Sequence, residues 1–481
     1  MRSSILLGLT ALALFGCGSS NTNLFSDDGG KPDASLVSCS SPADCPPEVP
    51  RCGADGLCNN DPIFPDSSVE AAPACQGIKC NIVNCNNGNK TTLTGTVYDP
   101  AGKNPLYNVV VYVPNAPLDP IKHGPVCDSC GGANVSGNPI ATALTDAKGH
   151  FKLEDVPVGS SIPLVIQAGK WRRQVTVPNV PQCTTTAVDP KLTRLPAKKS
   201  EGDMPLIALA AGCDPIHTLV QKIGVDVSEI TDEKGGGMVQ VFAGKNNQNG
   251  GITGATDAYA FWGNKAKMMK YDIIINECEC APYPRDSVGP GYANMAAYLN
   301  AGGRVFASHY HLNFYGEQGK ADTSLQNAAT WTLWGGSSTS SPYLIDTSFP
   351  KGKALDEWLF NLSQPGPING YGSAWAPSVK TTPKGQVQTF GVGDIGGSKP
   401  GLSQRWIYPQ GGGSVSYISI NMPTNVPADQ RCGRAVGSDI HVGNGQLTSM
   451  TEQEAALEFM FFDLASCVID DGKVPEPPPI N

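Results

Sequence analysis

Six residues in three close pairs could do chemistry in this chain. Glu277 and Glu279, His309 and His311, and Asp439 and His441 each lie two positions apart. On a strand alternate side chains project to one side, so each pair is expected to share a face. Imidazoles and carboxylates are donors for a divalent-metal site, and a carboxylate beside such an ion serves as general base for hydrolysis. Ser308, beside His309, adds a hydroxyl nucleophile. The catalytic candidates are therefore Ser308, His309, His311, Asp439, His441, Glu277 and Glu279, with His309, His311 and His441 as metal ligands. No cofactor is fixed by these residues; a divalent metal is the one they could hold. The opposing expectation is histidines buried beside Tyr310 and Tyr315 as hydrogen-bonding core, with Cys278 and Cys280 fixing the loop through disulfides.

The elements that must position these residues alternate between strand and helix. An apolar run at 206–211 precedes Asp214 and Pro215, which read as the cap and first turn of a helix reaching Ile223. Strands are expected at 238–242, 271–276 and 304–310, with helices at about 255–269 and at 292–300, the latter closed by Gly302 and Gly303. Later strands fall at 415–421 and 434–442. Thr451 and Glu454 form a capping box, and Leu457, Met460, Phe461 and Leu464 make an apolar helical stripe. Such alternation predicts a mostly parallel, doubly wound sheet whose ligand site lies outside the carboxyl ends of its strands. All three pairs fall at such ends.

Tyr271, Asp272, Ile273, Ile274 and Ile275, then Gly302, Gly303, Arg304, Val305 and Phe306 before Ser308 and His309, and Gly433 and Arg434 before Ser438 and Asp439, resemble the class I glutamine-amidotransferase-like fold. The nearest branch is the trehalose-utilisation (ThuA-like) one, a flavodoxin-type architecture. In that family a cysteine flanked by glycines occupies the strained elbow after the GG turn. Here Ala307, Ser308, His309, Tyr310 and His311 stand there, so glutaminase activity is not expected, and hydrolysis would need Ser308 or a metal.

Between about Thr91 and Leu195 short alternating runs are broken by turn residues, the pattern of an antiparallel sandwich. Gly95, Val97, Asp99, Gly102 and Pro105 leading to Val109, Val111 and Val113, then Thr145, Asp146, Gly149 and Phe151, then Val156, Pro157 and Gly159, resemble the carboxypeptidase regulatory-like domain of transthyretin-type fold. That resemblance implies an accessory domain. No histidine has a glutamate three positions on, so the metal motif of the carboxypeptidases is missing. An insertion at 121–138 carries Cys127 and Cys130 as a CxxC, expected to be a structural disulfide in a loop rather than a redox pair on a helix.

Arg2, an apolar run at 5–15 and small residues before Cys17 read as a signal peptide. Leu14, Phe15, Gly16 and Cys17 resemble the lipobox of bacterial lipoproteins, which implies diacylglycerol on Cys17; Gly18 after it implies outer rather than inner membrane. The three-part layout also resembles a group of myxobacterial and related deltaproteobacterial lipoproteins, some of which carry the misleading label tryptophan synthase alpha chain. Apart from Cys17, the other fifteen of the sixteen cysteines enter an oxidising compartment where disulfides persist. They fall into Cys39, Cys45, Cys52 and Cys58; Cys75, Cys80, Cys85, Cys127, Cys130 and Cys183; and Cys213, Cys278, Cys280, Cys432 and Cys467, the last group leaving one thiol over or pairing outside itself.

The expected layout is a signal peptide at 1–16, a linker at 17–38, a disulfide-stapled motif at 39–58, a linker at 59–74, the sandwich at 75–195, the α/β domain at 204–470 and a disordered Pro-rich tail at 471–481. A net charge of −9 without a basic stripe argues against nucleic acid as partner. Trp331, Trp334, Trp358, Trp375 and Trp406 are candidates for a carbohydrate-stacking cleft or for plain core. The leading expectation is a lipid-anchored envelope protein, a noncatalytic module for a carbohydrate ligand or an envelope partner. A hydrolase, metal-assisted, is the alternative, and a purely structural surface protein the second.

Overall fold

Residues 39–58 are too few to bury a core. In the computed structural model they are held by Cys39–Cys52 and Cys45–Cys58 disulfides, which pin strand β1 (Arg51–Cys52) antiparallel to β2 (Cys58–Asn59). The structure describes residues 37–53, 55–59, 75–127, 135–281, 290–334, 342–362, 382–389, 391–439, 447 and 450–480. Cys17, where lipidation is expected, most of both linkers, Cys130, Trp375 and His441 lie outside these. Among the described residues no helix is long and apolar enough to cross a membrane.

The rest, Cys75–Asn481, forms a second compact unit of mixed α/β structure. Its first part stacks two sheets. One pairs β3 (Thr92–Thr96), β6 (His150–Glu154) and β9 (Thr185–Ala187); the other runs β5 (Pro139–Leu144), β4 (Val110–Pro114), β7 (Gly159–Ala168), β8 (Trp171–Val180). Alternation sets which side is buried: in β6, Phe151 and Leu153 point inward while His150, Lys152 and Glu154 are exposed. Cys85–Cys183 ties the chain entering this part to the turn before β9.

The second part follows in chain order as β10 (Ile207–Ala211), α1 (Ile216–Lys222), β11 (Ile230–Thr231), β12 (Val239–Ala243), β13 (Thr256–Asp257), α2 (Ala258–Trp262), α3 (Lys265–Met268), β14 (Ile273–Asn276), α4 (Gly291–Asn300) and β15 (Arg304–Ser308). Then come α5 (Asn313–Gly316), α6 (Thr323–Ala328), β16 (Ala329–Trp331), β17 (Tyr343–Ile345), α7 (Pro350–Leu362), β18 (Gln386–Val387), β19 (Ile395–Ser398), β20 (Gln404–Pro409), β21 (Tyr417–Met422), β22 (Gly433–Ser438) and α8 (Glu452–Ala465). The long parallel strands lie side by side as β12, β10, β14, β15, β22, the second strand of the series flanking the first, so the order reverses between β10 and β14. A ligand crevice is expected at that switch, beyond the carboxyl ends. Strands β10, β14, β15 and β22 are buried along their whole length, as strands with both faces covered must be.

Several expectations are corrected. The parallel pairings are as expected, but the sheet is mixed: β21, β20, β17 and β18 continue it antiparallel, because β20–β21 and β21–β22 are joined by turns too short for a crossover helix. The helix expected at 255–269 is two short ones, since Asn264 stops α2 and caps α3 through its side chain. Strand β15 ends at Ser308, not Tyr310, and β22 at Ser438, not 442. Asp214 does not cap α1, whose first turn has no side-chain cap.

The capping box of Thr451 and Glu454 is formed, yet α8 is buried all round instead of along a stripe, because the sandwich covers its other side. Trp171 packs on Phe461 and Phe462 with ring centroids 5.6 Å away in each case, and Tyr107 stacks on Phe459 at 5.6 Å. Trp358 Nε1 donates to the Pro105 carbonyl at 2.6 Å. Charged groups caught in this layer are paired: Lys222 with Glu454 at 2.5 Å, Lys351 with Asp463 at 2.6 Å, and Arg434 with Asp463 and Asp471 at 2.7 and 3.0 Å.

The insertion also serves this joint. Asp272 accepts from Gly124 N at 2.7 Å and faces Lys170 and His123 at 2.6 and 2.7 Å. Cys127 is bridged to Cys432, 305 residues away, so the CxxC is not a local disulfide; Cys75–Cys80 is local, Cys213–Cys280 spans 67 residues, and Cys467 is disulfide-bonded as well. Nor is the Pro-rich tail disordered over its described length: it lies against the sandwich, where Thr142 Oγ1 donates to the Pro478 carbonyl at 2.6 Å.

Candidate functional site

Immediately beyond β15 the backbone of His309 turns to a φ of 35°, a left-handed conformation that a side chain bearing Cβ adopts only under constraint. The turn opens a single 3-10 turn, His309–Leu312, and this separates the two histidines that a longer strand would have aligned. His309 and His311 therefore do not share a face.

His309 meets three residues from other strand ends. Its Nδ1 lies 3.4 Å from Cys278 Sγ and its Nε2 lies 3.2 Å from Asp394 Oδ2. Asp439, just past β22, stands behind them: its Oδ2 accepts the backbone N–H groups of Gly393 and, at 3.0 Å, Asp394. Asp394 Oδ1 in turn accepts Trp334 N–H at 3.1 Å. His309, Asp394 and Asp439 are all buried, and one ligand atom of each lies within 4.8 Å of the other two. Burial first, and the Asp394 carboxylate second, push Asp439 up to about 7, against the opposing pull of His309 and of the backbone N–H groups. Cys278 remains a thiol, fully buried, beside the Cys213–Cys280 disulfide, so the disulfide expected to include it does not form.

Over this cluster sits an aromatic pair. Tyr310 packs on His309 with centroids 3.9 Å apart and stacks on Trp334 at 5.0 Å and 29°, and Trp334 is 43% exposed. Burial, with the charges of Cys278 and Asp394, raises the Tyr310 hydroxyl above its ordinary range. Of the other tryptophans, Trp358 and Trp406 are core and Trp331 is partly buried against Tyr315.

The remaining candidates go elsewhere. Glu277 accepts Gly212 N–H at 2.8 Å and lies 3.0 Å from His217 Nδ1. Burial raises Glu277, whereas His217 is raised by that carboxylate in spite of its own burial. Gly212 is required there, for a Cβ would sit 2.0 Å from the Cys278 carbonyl oxygen. Glu279 accepts Lys245 N–H at 2.9 Å and the Tyr259 hydroxyl at 3.2 Å, with His311 Nε2 at 3.6 Å. His311 is buried and packs edge-on against Trp262 at 5.2 Å, in the core as the plainer expectation has it. Ser308 is fully buried with its hydroxyl 3.5 Å from Asp214. One convergent set thus replaces three pairs: His309 and Asp439 come together, while Glu277, Glu279, His311 and Ser308 do not join them.

Neither Asp394 nor the His217 contact was anticipated; one spare thiol was, but not that it is Cys278 or that it lies against His309. Asp394 lies in the glycine-rich stretch Gly391, Val392, Gly393, Asp394, Ile395, Gly396, Gly397, and a lone acid among glycines is its only mark in the sequence. His217, three residues past Asp214 after β10, is marked by its strand-end position.

A larger cavity, of about 730 Å³, lies between sandwich residues such as Val110 and Leu144 and tail residues such as Val474 and Pro478. Among the described residues its walls carry no imidazole and no free thiol.

No family model and no curated protein matches the chain. Solved structures that resemble parts of it include two interface mutants of a type II cohesin–X-dockerin complex from Acetivibrio cellulolyticus. Each is 12% identical and covers 31% of this chain, with 81% and 88% of the respective chains covered and TM-scores of 0.15 and 0.16. A 9R-lipoxygenase from Cyanothece PCC8801 is 14% identical over 30% of this chain and 23% of its own, with a TM-score of 0.14. Likenesses this slight carry no argument about fold or function.

Proposed function

We propose that this protein is a lipid-anchored envelope protein, tethered through Cys17 at the outer membrane, whose α/β part binds a carbohydrate at the carboxyl ends of its parallel strands. The carrying observation is the Tyr310–Trp334 stack, with Trp334 43% exposed directly over His309 and Asp394. A flat aromatic surface takes the apolar face of a sugar ring, and imidazole and carboxylate groups beneath it take hydroxyls. The strand order, reversing between β10 and β14, favours the class I glutamine-amidotransferase-like reading, and the two stacked sheets of the first part favour the regulatory-like, transthyretin-type one. Binding ranks above catalysis because Ser308 and Cys278, the nucleophiles at hand, are both fully buried.

The reading is tested by tryptophan fluorescence of the purified chain titrated with neutral and amino-sugar oligosaccharides, including soluble peptidoglycan fragments. A saturable change that weakens about tenfold or more in Trp334→Ala, with the melting temperature kept, is expected; ~1.4 kcal/mol of stacking is enough for that. Identical titrations of the two proteins, or none with any sugar, would refute it. Hydrolysis is the second reading, favoured by Asp439, whose carboxyl at about 7 is placed for general-base work near neutral pH.

A further inference from the structure

The geometry points to His309, Asp394 and Asp439 as a binding site for one divalent transition-metal ion. Three strand-end segments deliver the ligands: the turn after β15, the loop before β19 and the end of β22. Each carboxylate is held by its backbone partners through one oxygen, Asp394 through Oδ1 and Asp439 through Oδ2. The other oxygens, Asp394 Oδ2 and Asp439 Oδ1, are buried and accept no hydrogen bond from the described residues, Asp394 Oδ2 facing the His309 ring at 3.2 Å. Leaving two carboxylate oxygens dry beside one imidazole is costly unless a cation sits among them.

The spacing fits such an ion. Ligands about 2.1 Å from a tetrahedral centre stand ~3.4 Å from one another. His309 Nε2 and Asp394 Oδ2 are 3.2 Å apart, and all three ligand atoms lie within 4.8 Å. The rest of His309 is arranged as for a metal ligand, with Nδ1 at 3.4 Å from Cys278 Sγ, a contact that fixes the ring. One nitrogen and two carboxylate oxygens suit zinc or manganese, whereas calcium needs more oxygens than are present. Three protein ligands also leave a coordination position for water or for a ligand hydroxyl. The site goes beyond the sugar-binding reading and does not depend on it, since the ion is tested alone.

The test is isothermal titration of the chelator-stripped full-length protein in detergent with Zn²⁺ and, separately, Mn²⁺. Asp394→Asn, Asp439→Asn and Cys278→Ser are run beside the wild type, with circular dichroism to check folding. One Zn²⁺ per chain is expected, weakened at least about tenfold in either folded Asn variant and kept in Cys278→Ser. If the Asn variants do not fold, the absorption spectrum of Co²⁺-loaded wild type decides: nitrogen and oxygen ligation without a thiolate charge-transfer band is expected. No stoichiometric ion in the wild type, unchanged affinity in both Asn variants, loss of the ion in Cys278→Ser alone, or a thiolate band would each overturn the site.

Discussion

Asp99 and Glu458 make a buried acid pair between the sandwich and α8, and replacing Asp99 by Asn should change how stability depends on pH. Asp99 Oδ1 accepts Lys103 N–H at 2.7 Å, and Glu458 Oε2 accepts Asn104 Nδ2 at 2.7 Å. Burial pushes Asp99 up to about 7 and Glu458 well above its ordinary range, the proximity of Asp99 adding to the latter. Between about pH 4 and about pH 7 the folded chain thus holds a proton at Asp99 that the unfolded chain has released. The contribution is fully present below the unfolded pKa and is lost as pH rises through the folded one. At ~1.4 kcal/mol per pH unit over roughly three units, the loss is ~4 kcal/mol. Asn keeps the acceptor for Lys103 and offers Glu458 an N–H with no proton to lose. Urea melts of wild type and Asp99→Asn at pH 4, 6 and 8 should therefore show the variant gaining ~4 kcal/mol relative to wild type across the series. A stability difference that is the same at all three pH values would refute the reasoning.

Three further outcomes are expected. Asp463→Ala leaves Lys351 and Arg434 buried without their shared carboxylate and should cost ~3–5 kcal/mol in denaturant melts. Trp358→Ala empties a fully enclosed site and frees the Pro105 carbonyl, for a loss of ~3–5 kcal/mol by the same assay. Cys17→Ser should abolish labelling by palmitate and move the protein from the membrane pellet to the soluble fraction of fractionated cells; an unchanged pellet fraction would count against the anchor.

Much of the architecture was legible because it rests on local patterns. The alternation in β6 and the unbroken apolar runs of β10 and β14 each mark their burial directly. The two staples of the motif at 39–58 follow from its size. What could not be read was set at long range. The partner of Cys127 is 305 residues away, and the second side of α8 is covered by a sandwich whose docking has no local signature. At the site the strands themselves were legible but their ends were placed too late, and period-two reasoning failed at His309, where a φ of 35° ends the strand and sends His311 into the core. Asp394 has no neighbouring histidine or cysteine in sequence, so only the fold could bring it to His309.

The central claim is that the strand ends around His309, rather than the cavity beneath the C-terminal tail, receive the ligand. Hydrogen exchange of the full-length protein, with and without a bound oligosaccharide, tests it most directly. Slowed exchange at 309–312 and 392–396, with no change at 473–480, is the predicted result. Protection confined to 473–480 and to β4 and β5 would contradict the account and place the ligand under the tail.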